Sequence, residues 1–193
     1  SADTVRHENK SDLGRFFGIK MNEETRIFFR EILCVIEEDL IEEILTYSDF
    51  DDRGGLLRFT CVSCPITELP KFPNGVLDIV CSSCPNLSIT QLPETLVTLT
   101  VNLSPIHSLP ELPEGLERLC CSETKITALP KLPEKLKYLD CSGSPIKNLP
   151  ELPEELEELY CRFTSIESLP KLPEKLKYLD YSLTPFENDF EAI

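Results

Sequence analysis

The feature that most constrains this fold is a repeat of twenty residues that runs through most of the chain. One template describes three consecutive segments, ELPEGLERLCCSETKITALP (111–130), KLPEKLKYLDCSGSPIKNLP (131–150) and ELPEELEELYCRFTSIESLP (151–170). The decapeptide KLPEKLKYLD occurs at 131–140 and again at 171–180. A fixed period of this length is typical of solenoids, in which stacked repeats bury one continuous core. The sequence therefore predicts a curved stack of parallel strands.

Cysteine and small hydroxyl side chains recur at this period in two columns. The first column contains Cys61, Cys81, Val101, Cys121, Cys141, Cys161 and Tyr181, and the second contains Cys64, Cys84, Ser104, Thr124, Ser144, Thr164 and Thr184. Such a pattern requires a small buried side chain once per repeat, which accounts for seven of the nine cysteines. We interpret them as structural thiols.

The first two rows of these columns also form two Cys-x-x-Cys pairs, Cys61 with Cys64 and Cys81 with Cys84. The sixteen residues between the inner cysteines fall within the usual spacing of four-cysteine zinc sites. Because stacked strands lie about 4.8 Å apart, the four sulfur atoms can come close together. Zinc or redox chemistry therefore stays open as an alternative, although the repeat predicts no metal and no cofactor.

Alternation of apolar residues predicts one short strand per repeat, with the central residue and the residue two places later pointing inward. The predicted strand centres are Phe59, Ile79, Leu99, Leu119, Leu139, Leu159 and Leu179. The chain then returns through Ile66, Ile106, Ile126, Ile146, Ile166 and the leucine of Leu-Pro. Two prolines per repeat exclude a helix there and favour an extended, polyproline-like back face.

Charged residues alternate in sign from one repeat to the next. The two alternating columns are Glu111, Lys131, Glu151, Lys171 and Glu117, Lys137, Glu157, Lys177. Opposite charges on neighbouring strands attract, whereas like charges at strand spacing repel. We interpret the pattern as control of register and solubility.

The repeat resembles the leucine-rich repeat, L-x-x-L-x-L-x-x-N-x-L, with cysteine at the third apolar position. Its Leu-Pro-x-Leu-Pro punctuation is similar to that of the bacterial LPX-type subclass, the type III secreted effectors of the YopM and IpaH kind. The resemblance covers residues 56–187, about seven repeats. It implies an α/β solenoid, a right-handed leucine-rich repeat superhelix with a parallel β-sheet on the concave face, an extended convex face and an N-terminal α-helical cap.

The chain departs from this family at the asparagine that bonds the turn backbone, where it has Cys, Ser or Thr. A hydroxyl is expected to replace only one of the two hydrogen bonds that an amide makes. The row of hydrogen bonds between successive turns along the second column is therefore predicted to be less rigid than in the family.

The segment before the repeats, residues 21–52, has apolar residues at helical spacing: Phe28, Phe29, Ile32, Leu33, Ile36, Leu40, Ile44 and Leu45. We expect two helices with a break near Glu38 and Asp39, begun by Asn22 as N-cap. They would cover the open end of the solenoid, as in the effectors that the chain resembles. Residues 1–20 are expected to be irregular or partly disordered, and residues 185–193 to form a short C-terminal cap.

The net charge of −15 excludes the usual basic surfaces for phosphate, so neither nucleic acid nor an anionic membrane is the expected partner. No apolar run approaches the length of a membrane-spanning helix. The odd number of cysteines, spread through a core-forming chain, favours free thiols in a reducing, cytoplasmic compartment. The resemblance adds the expectation of delivery into a host cell by a non-Sec route.

Catalytic groups are sparse in this sequence. His7 lies in the N-terminal stretch without firm periodicity and His107 in a connection between repeats, so no cysteine–histidine or serine–histidine nucleophile pair is expected. The sequence also has no glycine-rich phosphate loop. Cys120 is expected to point outward as an exposed thiol, with no acid–base partner apparent. The chain is therefore predicted not to be an enzyme.

The outward strand surface is the concave face in the proteins that this chain resembles. Its last rows concentrate tyrosines and charged residues, types that often dominate binding energy at protein interfaces. The predicted partner-binding residues are Arg118, Tyr138, Asp140, Glu158, Tyr160, Arg162, Tyr178 and Asp180. Tyrosine is also a good strand former, and Asp180 repeats Asp140 through the duplicated decapeptide, so a structural origin stays open.

The expected function is a non-enzymatic protein-interaction module, an effector or scaffold that binds a host protein on its concave face. The alternative is the substrate-recognition part of a ubiquitin-ligase system. In that case a C-terminal ligase domain, as in the IpaH kind, is absent from this sequence, or IEEDLIEEIL (36–45) acts as an F-box-like segment. This segment lacks the proline expected of an F-box.

Overall fold

The computed structural model describes residues 18–33 and 38–186. Two helices come first, α1 (Glu23–Leu33) and α2 (Glu38–Tyr47). Eight strands then form one sheet in chain order: β1 (Asp49–Phe50), β2 (Leu56–Val62), β3 (Asp78–Ser82), β4 (Thr98–Thr100), β5 (Arg118–Cys120), β6 (Tyr138–Asp140), β7 (Glu158–Tyr160) and β8 (Tyr178–Asp180). The expectations for residues 1–17 and 187–193, which include most of both predicted terminal segments, lie outside the described residues.

Strands β2 to β8 are parallel and pair in the twenty-residue register that the repeat predicts. Phe59 lies beside Ile79, and the same step continues through every later repeat to Leu159 and Leu179. β1 pairs antiparallel with β2. The predicted strand centres and the parallel solenoid are therefore confirmed.

The inward side chains form one continuous core along the stack. The first column is buried from Cys61 to Cys161, and the second is buried along its whole length from Cys64 to Thr184. The isoleucines of the return path are also buried. Between β2 and β8 this return path contains no helical residue, as the prolines predict.

Two serines of the second column bridge neighbouring repeats, and here the expectation of a single hydrogen bond is wrong. The Ser144 hydroxyl accepts from the Thr124 N–H at 3.1 Å and donates to the Cys121 carbonyl at 3.0 Å. The Ser104 hydroxyl makes the equivalent pair with Cys84 N–H and the Cys81 carbonyl, both at 3.1 Å. A hydroxyl is donor and acceptor at once, so it can satisfy both groups when it reaches back one repeat.

A further column, which the sequence analysis did not single out, takes the left-handed backbone conformation at the end of each strand. Its members, with φ between 53° and 68°, are Ser63, Ser83, Leu103, Glu123, Gly143, Phe163 and Leu183. This conformation is uncommon for residues with a Cβ atom and suits glycine. It turns the side chain outward, so that Phe163 is 60% exposed.

The helices cover the first repeat. Asn22 caps α1, because its Oδ1 accepts from the Thr25 N–H at 2.9 Å. Phe28 of α1 packs edge-on against Phe59 of β2, with ring centroids 5.3 Å apart. The second helix spans Glu38–Tyr47, and the residues just before it, on which the predicted break depends, lie outside the described ranges. Neither helix has the length and apolar content that crossing a bilayer requires.

One of the two charge columns forms ion pairs along the stack. Lys137 reaches Glu117 at 2.8 Å, and Lys177 reaches Glu157 at 2.5 Å. The column that contains Lys171 does not pair along itself in the described repeats, and Lys171 instead contacts Glu154 at 3.7 Å. For this column the expectation of pairing along the stack is wrong, and the long exposed side chain of Lys171 reaches a different carboxylate.

Replacing Ser144 with alanine is expected to lower the free energy of unfolding by about 1–3 kcal/mol, because it leaves the buried Thr124 N–H without an acceptor. Urea denaturation at neutral pH measures the change. The matched control is Ser108→Ala at an exposed serine, which is expected to change stability by less than about 0.5 kcal/mol. Equal losses in both variants would contradict the bridging role.

Candidate functional site

Two rows of side chains cross the outward surface of β5 to β8. The first row runs Arg118, Tyr138, Glu158, Tyr178, and the second runs Cys120, Asp140, Tyr160, Asp180. Arg162 follows two residues after Tyr160 on the same side. The structure thus brings together all eight residues of the predicted site, called the tyrosine face below: Arg118, Tyr138, Asp140, Glu158, Tyr160, Arg162, Tyr178 and Asp180.

The three tyrosine rings form one stack across neighbouring strands. The ring centroids of Tyr138 and Tyr160 are 5.3 Å apart, and those of Tyr160 and Tyr178 are 4.9 Å apart. The Arg118 guanidinium lies 3.4 Å from the ring centroid of Tyr138. Ring pairs at these separations attract, and a cation over a ring adds to this. The rings therefore hold one another in place.

Hydrogen bonding and burial raise the pKa of two of these phenols, Tyr138 and Tyr160. The Tyr160 hydroxyl donates to Oε2 of Glu158 at 2.9 Å. This bond to a carboxylate raises the pKa of Tyr160 to about 12. Partial burial raises the pKa of Tyr138 as well. At neutral pH both rings are neutral, so the formal charge of the face comes from its carboxylates and guanidinium groups.

Asp140 and Asp180 each use one carboxylate oxygen to hold their own turn. Oδ1 of Asp140 accepts from the Ser142 N–H at 3.0 Å, and Oδ1 of Asp180 accepts from the Ser182 N–H at 3.1 Å. Oδ2 of either residue has no hydrogen-bond partner among the described residues. Each aspartate therefore presents a fixed acceptor to the outward surface.

A depression of about 690 Å³ lies over the stack. Six of the eight predicted residues line it: Tyr138, Asp140, Tyr160, Arg162, Tyr178 and Asp180. Arg118 and Glu158 do not line it, and they act on the stack from outside through Tyr138 and Tyr160. The predicted set thus divides into lining residues and residues that hold the rings.

Five residues that line this depression are absent from the predicted site: Ser122, Glu123, Ser142, Gly143 and Phe163. Glu123, Gly143 and Phe163 belong to the left-handed column, whereas Ser122 and Ser142 directly precede members of it. The sequence contains one indication of this column, Gly143, because glycine favours the left-handed conformation. A single glycine among seven rows is a weak indication of the backbone conformation of the others.

The position of Cys120 differs from the expectation that its thiol is exposed. It lies on the outward side of β5, yet it is only 6% exposed. Thr100 and Asp140 on the neighbouring strands and Arg118 surround its thiol, and burial raises its pKa. The predicted exposed thiol is therefore wrong, because neighbouring side chains cover it. His107 is exposed, and His7 lies outside the described residues.

The two Cys-x-x-Cys pairs lie in the core. All four thiols are buried and free, and the sulfur atoms of Cys61 and Cys84 are 3.9 Å apart. Hydrogen bonds with Cys64 and Cys84, together with burial, raise the pKa of Cys61. Burial likewise raises the pKa of Cys81. Across residues 18–33 and 38–186, no three His, Cys, Asp or Glu side chains are grouped so that they could hold a metal ion.

Glu158→Gln is expected to lower the pKa of Tyr160 toward the ordinary value of about 10, because the charged acceptor of its proton is lost. The Cζ chemical shift of 13C-labelled tyrosine, followed by NMR as pH rises, measures this pKa. The matched control is Glu151→Gln on the back face, which is expected to leave Tyr160 unchanged. The same titration midpoint in Glu158→Gln and in the wild type would contradict the contact.

The buried thiols are expected to react with N-ethylmaleimide at least about 100-fold more slowly in the native protein than in guanidinium. Pulsed alkylation with mass spectrometry assigns the rate to each of Cys61, Cys81, Cys121 and Cys141. Elemental analysis of the purified protein is expected to find no stoichiometric zinc. Rapid native alkylation, or one zinc per chain, would reject the structural role.

Comparison with known proteins gives matches to solved structures, whereas no family model and no curated protein matches the sequence. YopM from Yersinia enterocolitica WA-314 is 34% identical with a TM-score of 0.54, over 62% of this chain and 31% of that chain. A Shigella effector LRR domain is 26% identical with a TM-score of 0.48, over 80% and 57%. YopM from Yersinia pestis is 18% identical with a TM-score of 0.40, over 72% and 63%.

The YopM match at 34% identity agrees with the fold that the Leu-Pro punctuation predicts. This chain spans about a third of the length of that YopM chain, so the similarity concerns the repeat array. The described part of the chain is a leucine-rich repeat solenoid, and its repeats are similar to those of the bacterial LPX-type effectors.

Proposed function

We propose that this chain is a non-enzymatic protein-interaction module that holds a protein partner on its tyrosine face. The observation that carries the proposal is the stack of three tyrosines, capped by Arg118 and placed beside an open depression. Tyrosine and arginine are enriched among the residues that dominate binding energy at interfaces. Tyr178 remains 50% exposed, which a stack with only a structural role does not require.

The placement of the rings on the sheet also supports this role. β6 and β7 each have a hydrogen-bonded strand on both sides, so the backbone beneath Tyr138 and Tyr160 is fixed. Ordering a flexible side chain at an interface costs about 0.5–1.5 kcal/mol. The tyrosine rings are already ordered by their stacking in the folded protein. A partner that binds them therefore loses less free energy to side-chain ordering.

The proposed setting is the inside of a host cell. The repeat array is similar to that of YopM from Yersinia enterocolitica. We therefore extend the proposal to a secreted bacterial effector, delivered by a non-Sec route, whose partner is a host protein. The concave surface of a solenoid is extended and suits a protein partner better than a small molecule.

One route to the alternative function, an F-box-like N-terminal segment, has weak support. The apolar side chains that such a segment would offer to an adaptor include Ile41, Ile44 and Leu45. All three are at most 3% exposed, because α2 packs on the first repeat. Binding an adaptor through them would require α2 to leave the solenoid.

Tyr138→Ala combined with Tyr160→Ala is expected to abolish capture of the partner, since it removes two of the three stacked rings. The measurement is affinity capture from host-cell lysate with each immobilised variant, followed by quantitative mass spectrometry. Because both rings are only partly buried and lie outside the core, the melting temperature is expected to fall by no more than a few degrees.

The matched control is Tyr47→Ala, which removes a tyrosine that is 61% exposed at the end of α2, away from the tyrosine face. This variant is expected to capture the same proteins as the wild type. If the double alanine variant also captured them at wild-type levels, the tyrosine face would not be the binding site.

A further inference from the structure

The tyrosine stack has a cation at one end and is open at the other. Arg118 covers Tyr138 at 3.4 Å on the side away from Tyr160. At the far end, no cation and no second ring stacks on Tyr178 within the part of the chain that the structure describes. Tyr178 is 50% exposed. A guanidinium from another molecule could therefore occupy this end in the geometry that Arg118 already shows.

Carboxylates surround the stack in a fixed arrangement. Asp140 and Asp180 lie on either side of Tyr160 in the register of β6, β7 and β8. Together with Glu123, they give the depression three carboxylates against the single guanidinium of Arg162, a formal charge of −2. Among the described residues, Arg162 makes no ion pair with any of these carboxylates. The surface attracts cations and repels acidic segments.

We propose that the partner presents a basic, extended segment to the tyrosine face, an inference that rests on the proposed function. Its arginine or lysine side chains pair with Oδ2 of Asp140 and of Asp180 and stack on Tyr178. Arginine suits this surface better than lysine, since its planar guanidinium both stacks on rings and pairs with carboxylates. An acidic or purely apolar segment would desolvate the two carboxylates without giving them a partner.

The spacing of the carboxylates indicates how the basic residues are arranged. Asp140 and Asp180 are two strands apart, which is roughly 10 Å at about 4.8 Å per strand. In a polyproline-type segment, residues three positions apart point the same way and lie about 9 Å apart. A segment that crosses the strands with a basic residue at every third position therefore matches the face.

The test uses the whole chain and two fluorescein-labelled dodecapeptides, one of four Arg-Pro-Ser units and one with citrulline in place of each arginine. Fluorescence anisotropy at about 0.1 M salt is expected to show the arginine peptide binding at least about ten-fold more tightly. Asp140→Asn with Asp180→Asn is expected to weaken this binding about ten-fold. Asparagine keeps the Oδ1 acceptor, so both turns are retained.

The matched control is Glu111→Gln with Glu151→Gln, which makes the same change in net charge at exposed positions on the back face. It is expected to change the affinity by less than about two-fold. Equal losses in both charge variants would mean general attraction to an acidic protein and would overturn the inference. Failure of the arginine peptide to bind at about 1 mM would also overturn it.

These outcomes are separate from the test of the proposed function. If partner capture depends on Tyr138 and Tyr160 while the arginine peptide does not bind, the face remains the binding site and only the basic-segment inference fails. If the arginine peptide binds through Asp140 and Asp180 while partner capture is unchanged by the substitutions of Tyr138 and Tyr160, the proposed function fails.

Discussion

The pairing of parallel strands at intervals of twenty residues is the constraint on which the rest of this structure depends. A single repeat cannot bury its own apolar side chains, so each gains its core only from the repeat before and after it. The fixed register places small residues such as Cys121 and Cys141 in one buried column. Ser104 and Ser144 add hydrogen bonds that join the turns of neighbouring repeats.

The same register builds the outward surface. Any side chain on that face has as neighbours the residues twenty places before and after it, so duplication of a short segment creates a row of similar groups. Tyr138 and Tyr178 come from the duplicated decapeptide, and Tyr160 from the repeat between them. Tyr160 lies in the neighbouring row, and its ring stacks diagonally on Tyr138 and Tyr178 of the adjacent strands at 5.3 and 4.9 Å. The twenty-residue register therefore determines both the buried core and the candidate binding face.

The strand centres and buried columns could be predicted because they depend on local alternation and on a period visible in the sequence. The serine bridges could not, since a hydroxyl's partners depend on how far it reaches into the next repeat. Cys120 was misjudged because neighbouring side chains bury a residue that alternation alone leaves outward. Phe163 was missed because its left-handed backbone is marked in the sequence only by Gly143 in the same column.

The most direct test of this account is whether the three rings of the tyrosine face are neighbours in solution. NOE spectroscopy on protein with selectively labelled tyrosine measures ring-proton contacts. The account predicts cross-peaks between Tyr138 and Tyr160 and between Tyr160 and Tyr178, and none from these rings to the distant Tyr47. Absence of the first two cross-peaks in a folded sample would contradict the register and the site built on it.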